Sequence, residues 1–150
     1  MQAEQHSTTE DGPVAEGIER LDEQRCWSLL EESEIGRLAV RVGDGVDVFP
    51  VNFACIDHRI VLRTTHGAKL NALTVHPDVA FEIDGDDAGW RWSVVLKGRA
   101  RTPELTTELQ QLHEQRLFSY SPQTKSAYVV IDPVSVTGRR FLQRLEFDAP

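Results

Sequence analysis

The segment Arg63-Thr64-Thr65-His66-Gly67-Ala68-Lys69 concentrates residue types that bind an anion. A guanidinium gives a bidentate, charge-assisted contact, and hydroxyls and backbone N–H groups add directional bonds. An ammonium in the first turn of a helix adds charge where the helix dipole is already positive. The segment follows the apolar run Ile60-Val61-Leu62 and opens a short helix, so a strand delivers these groups to a helix N-terminus. The pattern is neither a Walker nor a Rossmann fingerprint. An ordinary strand-to-helix loop, with a Thr cap and two solvated bases, also fits the spacing.

Two other stretches carry polar or aromatic groups that need an explanation. Asn52 interrupts the apolar run around Pro50, Val51 and Phe53, and a polar side chain there needs a partner in the protein or in a ligand. Trp90, Trp92 and Ser93 open a long strand. Tryptophans at a strand end cover a flat aromatic ligand, cap a barrel or fill a subunit interface. Elsewhere the chemistry is thin. His58, His66, His76 and His113 have no metal-ligand spacing, so no metal site is expected. Cys26 and Cys55 form no CxxC and read as small thiols in a reducing compartment. Asp84 to Asp87 read as a solvated hairpin tip without the rest of a calcium loop. Arg139-Arg140 could reach an anion or end a strand in solvent. No nucleophile is paired with a recognisable base, so no catalytic residue is assigned.

These groups must be positioned by a mainly β chain. Residues 1–15 are polar, with almost no apolar content, and predict a disordered acidic arm; residues 16–150 predict a single domain. A helix is expected from about Glu16 to Ser33, with Ile18, Leu21, Cys26, Leu29 and Leu30 near one face. Gly36 to Val42 alternates as a half-buried strand, and Gly43-Asp44-Gly45 turns into a second strand, Val46 to Ile56. Pro50 inside that strand implies an edge, a bulge or a bend. A tight turn at Ile56-Asp57-His58-Arg59 leads to the third strand and then to a helix over Gly67–His76. Val79–Ile83 and Trp90–Thr102 read as strands joined by an acidic hairpin loop at Asp84–Gly89. Pro103 predicts a helix start with Thr102 as N-cap and Leu105, Leu109 and Leu112 on one face, and residues 117–126 a loop. Ala127–Ile131 forms a strand, Asp132-Pro133 breaks it, and Val134–Leu142 forms another. Short connections favour an antiparallel β-barrel of six to seven strands with two to three helices over a parallel sheet.

Bulk properties agree with a globular domain. The 150 residues are 40% hydrophobic and 27% charged, with no run long enough for a membrane helix and no secretory signal at the start, which predicts a cytoplasmic protein. The formal net charge of −8 resides in residues 1–34, which hold ten acids and two bases. That distribution argues against nucleic-acid binding through the arm.

The run GRLAVRVGDGVDVFPVNFACIDHRIVLRTTHGAKL, followed by VAFEIDG, WSVVLKGRA and VTGRRF, resembles the pyridoxamine 5′-phosphate oxidase-like flavin proteins, in the small actinobacterial branch related to nitroimidazole-resistance proteins. The resemblance covers about Asp22 to Phe141. It implies a split β-barrel, a homodimer and FMN sites at the subunit interface, with a flavin-dependent oxidoreductase activity of unspecified substrate. By position, Pro50, Val51, Asn52 and Phe53 would line the isoalloxazine, largely through backbone groups. Arg63, Thr64, Thr65 and Lys69 would hold the phosphate, and Trp92 and Ser93 would reach the flavin, commonly across the dimer. The C-terminal Arg–His substrate motif of true pyridoxamine-phosphate oxidases is not found, so the resemblance does not extend to that activity. Some members bind the deazaflavin F420 or haem, and a carrier or sensor role is the non-catalytic alternative.

Overall fold

The computed structural model describes residues 17–65, 68–103 and 126–142. Seven strands and two helices follow one another: β1 Ile18–Leu21, α1 Glu23–Glu32, β2 Ile35–Val42, β3 Gly45–Ile56, β4 Arg59–Thr65, α2 Ala68–Val75, β5 Asp78–Asp87, β6 Trp90–Arg101 and β7 Ser126–Leu142. All pairings are antiparallel, in the order β1-β7-β4-β3-β2-β5-β6. A further β6–β7 pairing closes six of the strands into a barrel, with β1 added on β7. The mainly β architecture expected from the short connections is the one observed.

The barrel is filled by alternate residues of each strand. Leu38, Val40, Ile60, Leu62, Phe81, Ile83, Val94, Leu96, Val129 and Ile131 are almost completely buried. Phe53 meets Phe81 edge to face, with ring centroids 4.7 Å apart. Helix α1 contributes Cys26, Trp27, Leu29 and Leu30 to the same core.

Three elements differ from the sequence-based expectation. Where the expected helix would begin, Ile18–Leu21 form strand β1, paired with Gly138–Phe141 of β7. The helix itself begins after Asp22, whose carboxylate accepts a 2.7 Å hydrogen bond from the Arg25 N–H. The hairpin loop expected at Asp84–Gly89 is mostly strand: β5 runs to Asp87 and only Ala88 and Gly89, at φ +47° and +86°, make the turn. Cross-strand arginines offset the carboxylates, with Arg37 3.2 Å from Asp84 and Arg91 3.2 Å from Asp86. Finally, Asp132-Pro133 does not interrupt β7. The register steps from Lys97↔Ser135 to Gly98↔Pro133, so Val134 is the extra residue of a bulge that absorbs the proline. Gly98 permits this approach, because a Cβ there would collide with the Asp132 carbonyl oxygen. The expected helix after Pro103, the expected loop 117–126 except Ser126, which is the first residue of β7, and the acidic arm lie outside the described residues.

Candidate functional site

Strand β3 changes partner along its length. Residues Gly45–Asn52 pair with β2, and Phe53–Ile56 pair with β4. Pro50 lies in the first part, opposite Arg37, where β3 has β2 as its paired neighbour. A missing N–H is tolerated on such an edge. The strand's two faces differ sharply. Phe49 and Val51 pack against the core and Phe53 is buried, while Val46, Val48, Pro50 and Asn52 are exposed. Phe53 therefore offers no ring to a surface ligand, and its N–H is bonded to the Glu34 carbonyl at 3.0 Å.

Next to this face, β4 continues the pattern. Ile60, Leu62 and Thr64 are buried and Arg63 is half-buried. Phe53↔Leu62 is the first registered pair, so Asn52 and Arg63 follow it on the outward side of adjacent strands. Strand β4 ends at Thr65 and α2 starts at Ala68, which places Lys69 at the second position of the helix. The side chains of Thr65 and Lys69, with His66 and Gly67, lie outside what is described. The structure thus brings Pro50, Asn52 and Arg63 to one surface, leading into a helix N-terminus. Thr64 and Phe53 point the other way.

Trp92 and Ser93 are placed elsewhere on the barrel. Trp92 packs on the core, over Gly85. Ser93 faces outward, in register with Asp84 and Arg139. From Asn52 the path crosses β2 and β5 to reach β6, three strand spacings or roughly 14 Å. From Arg63 the route through β7 crosses only two strand spacings but runs eleven positions along β7, from Tyr128 to Arg139, so one chain does not bring Ser93 to the Arg63 corner.

The intervening surface holds groups that sequence reasoning missed. Arg37 bridges Glu82 at 3.1 Å and Asp84 at 3.2 Å. Burial, then the Asp84 carboxyl beside it, raises the Glu82 pKa, and Arg37 opposes this. Around this ion cluster Ile35, Val46 and Val48 are 64%, 68% and 60% exposed. Exposed apolar groups gathered on one sheet face mark an interaction surface. The cluster is assembled from β2 and β5, so no local motif announces it; the alternation of GRLAVRV and VAFEID carries the signal only once register is known. Among the other candidates, Arg140 pairs with Glu19 at 2.6 Å and lies over the Trp90 ring at 4.4 Å. Burial, followed by the charges of Glu31 and Asp57, pushes the Cys55 thiol up to about 11.

Comparison with known proteins places this geometry. The family described as pyridoxamine 5′-phosphate oxidase matches residues 22–140. A solved structure from Corynebacterium glutamicum, provisionally named a pyridoxamine 5′-phosphate oxidase, is 35% identical with a TM-score of 0.75, covering 84% of this chain and 99% of that one. The structure of an FAD-binding protein from Mycobacterium smegmatis is 30% identical with a TM-score of 0.73, covering 83% and 99%. An uncharacterised Mycobacterium tuberculosis protein is 30% identical over 138 residues, 85% of this chain and 88% of its own. With this match over most of its length, the chain belongs to the pyridoxamine 5′-phosphate oxidase-like family.

Proposed function

We propose that this chain is a cytoplasmic flavin-dependent oxidoreductase that holds FMN between two copies of itself. The observation that carries the reading is the convergence of Pro50, Asn52 and Arg63 on one outward face beside the start of α2. The residues fit a flavin phosphate and ring. Arg63 offers a half-buried cation, the N-terminus of α2 offers backbone N–H groups, and Asn52 offers an exposed amide. In this reading Arg63, Thr65 and Lys69 hold the phosphate, the inward-pointing Thr64 contributes only its backbone, and the backbone of Pro50, Val51, Asn52 and Phe53 runs along the ring.

A second copy is called for because Trp92 and Ser93 lie on β6, three strands from Asn52, and Ser93 is eleven positions along β7 from the level of Arg63. It would lay its own β6 against the exposed Ile35, Val46 and Val48 and exclude water from the ring. When bound, FMN supplies the hydride or electron transfer; the chain supplies position and electrostatics. The Mycobacterium smegmatis relative, named as FAD-binding, supports a flavin over an empty pocket.

The purified protein's visible spectrum, followed by titration with FMN and with F420, tests the reading. We expect a bound flavin or saturable FMN binding. A protein that takes up neither chromophore would overturn it, and one that takes up only F420 would replace FMN with the deazaflavin. Stopped-flow reoxidation by candidate acceptors separates an enzyme from a carrier: an enzyme transfers electrons faster than free flavin does.

A further inference from the structure

The outward face of β2 and β3 interleaves apolar and charged groups. Ile35 stands in register with Asn52, Arg37 with Pro50, Ala39 with Val48 and Arg41 with Val46. Arg37 therefore lies between the exposed Ile35 and Val48, and a body that covers both also covers Arg37. One nitrogen of that side chain, Nη1, is 3.1 Å from Glu82 and 3.2 Å from Asp84. The two acids share one face of β5 and are close enough to hydrogen-bond each other when one is protonated. One guanidinium thus serves two carboxylates, and the cluster holds a surplus negative charge when both are ionised.

Among the described residues, no neighbouring cation removes that surplus. Val95 and Ser93 stand opposite Glu82 and Asp84 on β6. Lys97, diagonal to Glu82, forms no ion pair with it, and Arg91 is held by Asp86 at 3.2 Å. On β2, Arg41 is four residues from Arg37, about 13 Å along the strand. Of the described histidines, His58 stacks on Trp27 of α1 and His76 follows α2, so neither faces the cluster. In the single chain the surplus charge meets solvent, with the Asp84 side chain 53% and the Glu82 side chain 29% exposed. Under a second copy that solvent is excluded, and an unmatched carboxylate in a low-dielectric interface is neutralised by taking up a proton. The Glu82 pKa is already raised in the single chain, first by partial burial and then by Asp84.

We propose that two copies associating through this face take up a proton at each Glu82–Asp84 pair, so that a rise in pH drives the copies apart. This linkage rests on the shared-site dimer proposed above. The proton comes from solvent, bonds to one carboxyl and is donated to the other, while Arg37 stays charged and balances the remaining carboxylate. The two acids titrate as one pair, so either can carry the proton. Dimer stabilised in this way is fully favoured at low pH and is lost as pH rises through the raised value.

The test is the dimer dissociation constant of the full chain, without added flavin, measured by sedimentation with fluorescence detection from about pH 5 to about pH 8. We expect Kd to rise with pH above the ordinary glutamate range, by up to about hundredfold per pH unit where both clusters of a dimer change by a full proton. Calorimetric dilution in buffers of different ionisation enthalpy should show proton release on dissociation. Glu82→Gln and Asp84→Asn each remove the pair and leave one acid with Arg37. Each should give a Kd that no longer changes with pH and lies below that of the unaltered chain at the upper end. Asp86→Asn, on the same strand but paired with Arg91, should leave the pH dependence unchanged. A chain monomeric at every pH would overturn the dimer reading and this linkage together. A dimer whose Kd is flat with pH would overturn the linkage alone, by showing that a cation of the second copy balances the charge. A pH dependence that persists in either amide variant would also overturn it, by assigning the proton to another group.

Discussion

The two faces of β3 have opposite composition. Inward, Phe49, Val51 and Phe53 join a core in which Phe81 is completely buried. Outward, Val46, Val48, Pro50 and Asn52 remain exposed, flanked by Ile35 and Arg63. A strand alternates its side chains, so one twelve-residue segment serves both the barrel and the proposed ligand surface. The inward set should govern stability and the outward set binding. Substitutions on the two faces therefore ought to separate these properties.

The largest effect is expected inward. Phe81→Ala removes the ring packed against Phe53 and should destabilise the fold by about 3–5 kcal/mol, read by chemical denaturation. Flavin affinity of the fraction still folded should stay close to that of the unaltered chain. Outward, Arg63→Ala should weaken FMN by about 1.5–3 kcal/mol, tenfold or more, in a fluorescence titration. Its flavin-free denaturation midpoint should move far less than that of Phe81→Ala. A comparable stability loss from Arg63→Ala would blur the division between the faces.

A smaller, pH-dependent effect sharpens the outward side further. The Glu82 carboxyl titrates above its ordinary range, chiefly because it is partly buried and then because Asp84 lies beside it. An acid whose folded pKa is raised favours the folded state when protonated. Its contribution is therefore fully present below the ordinary glutamate value and is lost as pH rises to the raised one. Melting temperature should fall through that window in the unaltered chain relative to Glu82→Gln. A difference between the two that does not change with pH would contradict the assignment.

Much of this division is legible in the residues themselves. Leu38 and Val40 alternate cleanly, Gly43 marks its turn, and Arg63 to Lys69 is a contiguous cluster. What escaped depended on distant partners. Ile18 and Leu21 are three apart, as on a helix face, and only pairing with Gly138–Phe141 makes them a strand. Asp84 and Asp86 suggest a solvent loop until Arg37 and Arg91 on neighbouring strands are known. Pro133 suggests a break because a bulge opposite Gly98 leaves no local signature. The same holds for the Arg37–Glu82–Asp84 cluster and for the Trp27–His58 stack, each built from two separate elements.

The central claim is a site that needs Arg63 from one chain and Ser93 from another, and complementation tests it most directly. Arg63→Ala and Ser93→Trp should each bind FMN weakly alone, the second because an outward indole fills the space intended for the ring. Unfolded and refolded together, the two variants should recover one high-affinity site in each mixed dimer. Ser93→Trp binding FMN as well as the unaltered chain, or a mixture no better than its components, would contradict a site shared between copies.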